Sequence, residues 1–347
     1  MAFLHAISTT TPENSIAQDK IKEFAAELFA NTPYTRLLPA FDNAKIAKRY
    51  ALKDFAWYKK SASFAQKNEE FVNLAESLAK ESIASVLQKA ELDPKDIDIF
   101  LVVTSSGFVT PTLDARLIDI IGMKNSVLRL PVTGMGCAGG AYSLSRVIDF
   151  CKAYPEKKVL VTVVETCTLT FRSNDKTKAN FIALSLFADG ASSAIFSGQE
   201  VDNSIQLLSY QSQKWPNTLD VMGWEVEDDG LQVIFDRAIP SLIQKDYSKV
   251  YHSFLKKEGI SPDDLKHFLF HPGGAKVLQA FEEVMQKQEK DFYHAYKVLR
   301  DYGNMSSVTI FFVIADFLQT SFSAKQKGLM AAMGPGFSCE QVLFQTT

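Results

Sequence analysis

A ten-residue pattern occurs twice in this chain, with four positions identical, and the duplication limits what it can fold into. Leu92-Asp-Pro-Lys-Asp-Ile-Asp-Ile-Phe-Leu101 returns as Ile260-Ser-Pro-Asp-Asp-Leu-Lys-His-Phe-Leu269, keeping Pro94/Pro262, Asp96/Asp264, Phe100/Phe268 and Leu101/Leu269 in register. Each copy follows a helical pattern, at 68–91 and 247–258, and leads into an apolar strand. The strand 97–104 is nearly continuous in apolar residues, as a parallel strand buried on both faces is. A weaker echo pairs Ala188-Asp-Gly-Ala-Ser with Gly334-Pro-Gly-Phe-Ser. Two copies of one β/α unit predict a duplicated α/β fold with a pseudo-twofold axis, its halves at 1–200 and 201–347.

Between these copies the pattern predicts a strand at 3–9, a helix at 12–31 and a loop-rich region to about residue 65. Helices follow at 113–121, 139–154, 275–286 and 308–318, with strands at 125–131, 158–165 and 191–196. The loop-rich region carries Lys45, Lys48, Arg49, Lys53, Lys59 and Lys60. It reads either as a solvated surface or as a clamp for a phosphate-bearing ligand.

A net charge of −3 gives no electrostatic reason to expect nucleic acid or a membrane surface as partner. Cys137, Cys151, Cys167 and Cys339 show neither a CxxC nor a Cys/His ligand spacing, so neither zinc nor a disulfide framework is expected. A reducing, cytoplasmic location fits. The opening Met-Ala-Phe-Leu-His lacks a signal-peptide pattern, and no apolar run approaches a membrane span.

Three polar groups stand where an α/β active site would place them. Cys137 lies in Pro131-Val-Thr-Gly-Met-Gly-Cys-Ala-Gly-Gly140, on a turn between an apolar strand and an apolar helix. A helix N-terminus favours an anion and lowers a thiol pKa. His271, in Phe268-Leu-Phe-His-Pro-Gly-Gly274, ends a strand on a glycine turn, and Asn304, in Asp301-Tyr-Gly-Asn-Met-Ser-Ser307, precedes another helix. An imidazole and an amide are donors for a developing oxyanion, and an imidazole stabilises a thiolate. Each also has an ordinary role open to it: a core cysteine, a structural histidine, a helix cap. Cys, His and Asn in this order also describe papain-like proteases. The cysteine is far from the N-terminus, however, and the parallel-strand pattern is wrong for that fold.

These segments together, with Leu186-Phe-Ala-Asp-Gly190, Gly223-Trp-Glu-Val, Gly230-Leu and Gly334-Pro-Gly336, resemble the type III polyketide synthases, the chalcone/stilbene synthase family. The resemblance runs from about residue 3 to 344 with the motifs in family order. It implies a thiolase-like fold, a duplicated αβαβα arrangement of five layers, and a homodimer that uses coenzyme A thioesters with no metal or other cofactor. It further implies that Cys137 takes an acyl group from acyl-CoA, while His271 and Asn304 hold malonyl-CoA as it decarboxylates. His271 would also keep Cys137 as a thiolate. Phe187 would be an aromatic gate, although a core phenylalanine is the ordinary alternative. Thr166, Cys167 and Thr170 would line the cavity floor, and Gly334, Pro335 and Gly336 would shape the cavity. Lys48, Arg49 and Lys276 would contact coenzyme A phosphates.

Departures from the plant members bear on product. Val233 stands where they have a second phenylalanine, which implies a wider throat, and Thr110 where they extend a methionine into the partner's cavity. Ala332-Met333 replaces Gly-Phe. The expectation is a long-chain fatty acyl-CoA starter extended to an alkylpyrone or alkylresorcinol. The alternatives are a ketoacyl synthase III-like enzyme using malonyl-carrier protein, and a silent binding homologue. Ketoacyl synthases carry His-Gln-Ala-Asn where this chain has His271-Pro-Gly-Gly274.

Overall fold

Both copies of the repeat begin with the same hydrogen bonds. The Asp93 carboxylate accepts from the Lys95 N–H, while Asp96 accepts from the Asp93 N–H, closing a capping box around the turn Pro94–Asp96. Ser261 and Asp264 do the same around Pro262–Asp264. Each turn delivers the chain into a strand, Ile99–Thr104 or Leu265–Phe270. The computed structural model describes residues 1–236 and 238–347.

The strands form one nine-stranded sheet in the order Leu265–Phe270, Lys327–Gly334, Ser338–Thr346, Ile205–Lys214, Ala2–Thr10, Asp189–Ser197, Val159–Thr166, Ile99–Thr104, Leu128–Thr133. Its halves join where Ala2 and Phe3 pair with Leu207 and Gln206. Outward from that seam each half runs through two antiparallel pairings and then a parallel one. The first half adds Leu128–Thr133, parallel to Ile99–Thr104, as an edge strand. Residue 200 lies in the connection between Asp189–Ser197 and Ile205–Lys214.

Alternation along the strands builds the layers. Ile99, Leu101 and Val103 share one core with Leu269, Met330 and Val342 of the other half-sheet, filled by the helices Gly139–Ala153 and Thr309–Phe317. Phe100 and Val102 face outward, under the helix Phe64–Ala90. On the opposite side Phe268 and Phe270 pack beneath Ser248–Lys257 and Ala275–Met285. The result is the five-layer αβαβα arrangement of the thiolase fold. No helix among the described residues is long and apolar enough to cross a membrane.

Some expected elements differ. The helix expected at 12–31 is Gln18–Leu28, because Ser15–Ala17 is drawn into a two-stranded ribbon with Lys48–Tyr50. The helix expected from 68 begins at Phe64, where Ser63 and Gln66 form a capping box. The basic stretch is largely neutralised on the surface: Lys45 pairs with Glu289, Lys53 with Glu70 and Lys59 with Glu27.

Candidate active site

The two inner helices bring the predicted groups together. Cys137 sits on the short turn Gly136–Ala138, directly ahead of Gly139–Ala153. Asn304 stands just before a matching turn, Ser306–Val308, ahead of Thr309–Phe317. The helices cross so closely that a Cβ on Gly140 would lie 2.3 Å from the Ser307 carbonyl oxygen, so only glycine fits there. The Cys137 thiol reaches hydrogen bonds from Ser306 and Asn304. Asn304 Oδ1 accepts from the Ser306 N–H at 2.8 Å, and its Nδ2 donates to the Gly273 carbonyl at 3.1 Å. Gly273 lies against His271, since a Cβ there would be 3.7 Å from Nε2. His271 is fixed by its own N–H donating to the Ala331 carbonyl at 2.8 Å.

Burial sets the electrostatics. It pushes the Cys137 thiol up to about 11; the Ser306 and Asn304 hydrogen bonds oppose this, while the nearby Glu165 adds to it. Burial alone takes the His271 imidazole down to about 3, and among the described residues neither ring nitrogen has a hydrogen-bond partner. Burial therefore favours the neutral form of both groups and works against the expected ion pair. A helix N-terminus favours an anion by only about 0.3–1 kcal/mol, which desolvation outweighs here. A neutral, unpartnered imidazole is well suited to donate to an oxyanion.

Glu165 was not foreseen. Its carboxylate accepts from the Ser105 N–H at 3.0 Å and from Ser307 Oγ at 2.5 Å, while Ser105 Oγ accepts from the Gly136 N–H at 2.9 Å. One buried acid thus ties the cysteine turn to the Asn304 turn, and burial raises it to about 7. An acid near the end of the largely apolar strand Val159–Thr166 was the available signal.

A largely apolar pocket lies against Phe187. Cys167, Thr170, Phe187 and Val233 form one part of its wall, and Phe24, Phe55 and Phe171 another. Thr166 is not a wall residue; it is fully buried, with its N–H donating to Ser106 Oγ at 2.8 Å. Gly334 and Pro335 pack on Ala138 and Gly136 and brace the cysteine turn, and Gly336 takes a φ of +69° beside Lys214. None of the three borders this cavity. Thr110 is exposed on the loop before Pro111.

Val233 does not simply widen the throat. It pairs across a ribbon with Trp224, whose ring lies 5.8 Å from Phe187. The Asp228-Asp229 turn fixes that pairing and could have revealed it.

Of the three proposed phosphate contacts, Arg49 is misplaced. It is 3% exposed, and its guanidinium donates to Gln18 Oε1, the Phe187 carbonyl and the Leu184 carbonyl. Lys48 is exposed and donates to Tyr50 Oη at 3.1 Å; Lys276 is exposed on the first turn of Ala275–Met285. Among the described residues no cluster of three or more His, Cys, Asp or Glu is placed to hold a metal.

Comparisons with known proteins place the whole chain among related sequences and folds. A family model for the C-terminal domain of chalcone and stilbene synthases matches residues 206–347, and one for FAE1/type III polyketide synthase-like proteins matches residues 44–210. The chain is 37% identical to a putative chalcone synthase of Bacillus subtilis, over 99% of this chain and 98% of that protein. It is 30% identical to a 1,3,6,8-tetrahydroxynaphthalene synthase of Streptomyces peucetius, over 98% and 92% respectively. The crystal structure of the Streptomyces coelicolor tetrahydroxynaphthalene synthase superposes with a TM-score of 0.95 at 26% identity, covering 99% of each chain.

Proposed function

Because the chain belongs to the chalcone and stilbene synthase family, the type III polyketide synthases, we propose that it condenses a long-chain acyl-CoA with malonyl-CoA at Cys137. In this reading the Cys137 sulfur attacks the acyl-CoA carbonyl and gives up its proton to the departing CoA sulfur. CoA leaves with a proton, and an acyl thioester remains on Cys137. Malonyl-CoA then loses carbon dioxide, and the electron pair of the broken C–C bond becomes an enolate. The His271 imidazole and the Asn304 Nδ2 donate to its oxygen. The enolate carbon attacks the acyl carbonyl, Cys137 leaves, and a β-ketoacyl-CoA forms for further extension and closure to an alkylpyrone or alkylresorcinol.

The observation that carries the long-chain reading is the pocket against Phe187, whose lining includes Phe24, Phe55, Phe171 and Val233. Burying each methylene of a starter there contributes about 0.8 kcal/mol. The ribbon beside Phe187 carries Glu225, Glu227, Asp228 and Asp229, an unfavourable landing for an acidic carrier protein and a reason to prefer the coenzyme A thioester. We also read the chain as a homodimer, since Leu128–Thr133 is an edge strand with Leu128 42% exposed, and such edges favour pairing.

The test is a panel of starters from acetyl-CoA to stearoyl-CoA with radiolabelled malonyl-CoA, and Cys137→Ala as control. Rates that rise with chain length until the cavity fills, and vanish in the variant, are expected. Turnover confined to malonyl or aromatic starters would overturn the long-chain reading. Activity with malonyl-carrier protein alone would overturn the use of malonyl-CoA.

A further inference from the structure

Arg49 is given no role in the chemistry above, yet it is 3% exposed and its guanidinium donates to three acceptors. The helix Lys178–Leu186 ends at Phe187, where the last carbonyls of a helix need partners from elsewhere. Arg49 Nη2 donates to the Leu184 carbonyl at 2.7 Å and Nη1 to that of Phe187 at 2.5 Å. Gln18 Nε2 donates to the Ser185 carbonyl at 2.9 Å, and the Asn304 N–H donates to that of Leu186 at 2.9 Å. Gln18 is in turn held by Arg49 Nε at 3.0 Å. The Ala188 N–H returns to the Asn304 carbonyl at 2.9 Å. One helix end thus binds the backbone of both the aromatic gate and the candidate amide donor.

The Arg49 stem makes a second contact with the same loop. Gly303, at φ +75°, has no room for a side chain, because a Cβ would lie 2.6 Å from Arg49 Cγ and Cδ. Among the described residues no carboxylate is within ion-pair distance of the guanidinium, and Asp189 supports it only from farther away. What remains favourable to the cation is the helix C-terminus and its carbonyls. A planar fork serves two carbonyls and a side-chain amide from three separate nitrogens in fixed directions, which the single nitrogen of a lysine does not reproduce.

We propose that Arg49 is a positioning residue that locks the Phe187 gate and the Asn304 loop into one unit. The consequence for turnover rests on the condensing activity proposed above; the coupling itself does not.

The test compares wild type with Arg49→Lys and Gln18→Leu, by hydrogen exchange and by partial reactions. In Arg49→Lys, amides near Phe187 and Asn304 are expected to exchange at least tenfold faster, and together, with the inner helix Gly139–Ala153 still protected. Malonyl-CoA decarboxylation should fall at least tenfold in kcat with little change in KM, while acyl loading of Cys137, read by intact mass, stays within threefold. Gln18→Leu should move the same readouts in the same direction by less. Uniform loosening of the whole chain, exchange that changes in only one segment, or a lysine variant equal to wild type would overturn the proposal. A wild-type protein with neither partial reaction would sink the condensing function, and the exchange data would still decide the brace.

Discussion

The two inner helices start alike and share one buried acid, but only one of them also has a buried cation behind its turn. Gly139–Ala153 follows a tight turn with Gly136 at φ +48°, and Thr309–Phe317 follows one with Ser306 at φ +49°. The cysteine turn is anchored by a buried carboxylate, Glu165, through Ser105, whereas the Asn304 loop is anchored by a buried guanidinium, Arg49. The carboxylate stands close enough to the thiol to hold its proton on. The guanidinium instead secures backbone carbonyls at a helix end. Duplication supplies the frame twice; Glu165 then joins the two turns through Ser105 and Ser307, and only the Asn304 side has a buried guanidinium behind it as well.

The largest effect is expected where the two helices touch. Gly140→Ala puts a methyl group 2.3 Å from a backbone oxygen that cannot swing aside. Overpacking of this kind costs about 1–3 kcal/mol, and a displacement near 1 Å between reacting groups costs roughly a hundredfold in rate. Gly223→Ala, with no neighbouring atom within 4 Å, serves as the control and should change stability by under about 0.5 kcal/mol. Denaturant unfolding and steady-state turnover would check both. Equal behaviour of the two variants would mean that the helix crossing does not set the site.

A smaller effect concerns the thiol. With Cys137 near 11, only on the order of one molecule in 10⁴ is a thiolate at pH 7. Alkylation of Cys137 by iodoacetamide should therefore climb steadily through pH 8 and beyond. Glu165→Gln removes a neighbouring negative charge and should speed alkylation several-fold at pH 8. A plateau already reached near pH 6 would restore the thiolate–imidazolium pair.

What could be read in advance follows the same division. The apolar run at Ile99–Thr104 and the period of Leu113–Ile121 depend on local pattern, and both elements appear where the pattern puts them. Cys137, His271 and Asn304 stood out because glycine turns mark the ends of elements. Arg49 was not legible. In sequence it sits among lysines that do lie on the surface, and the carbonyls that bury it belong to Leu184 and Phe187, more than a hundred residues away. Glu165 and Trp224 each left a local trace, a strand-end acid and a hairpin turn, but their partners, Ser307 for one and Phe187 for the other, come only from the tertiary fold.

The smallest effect would separate the two sides by pH. Burial raises Glu165 from 4.5 to about 7, so the folded state holds that proton more tightly than the unfolded chain. Its contribution is complete below pH 4.5 and is lost as the pH rises through 7. Asp189 and Glu340, raised by burial to about 6 and about 7, act in the same sense. His271, lowered from 6.5 to about 3, acts in the opposite one: its contribution is complete above 6.5 and is lost as the pH falls. Each group can tilt stability by at most about 1.4 kcal/mol per pH unit. Between pH 4.5 and 6.5, Glu165→Gln should therefore make stability rise more with pH than in wild type, and His271→Gln should make it fall more. Differences of about 1 kcal/mol across that window, from urea unfolding at several pH values, are the expected size. Tilts of the same sign would show that the buried acid and the buried base do not oppose each other.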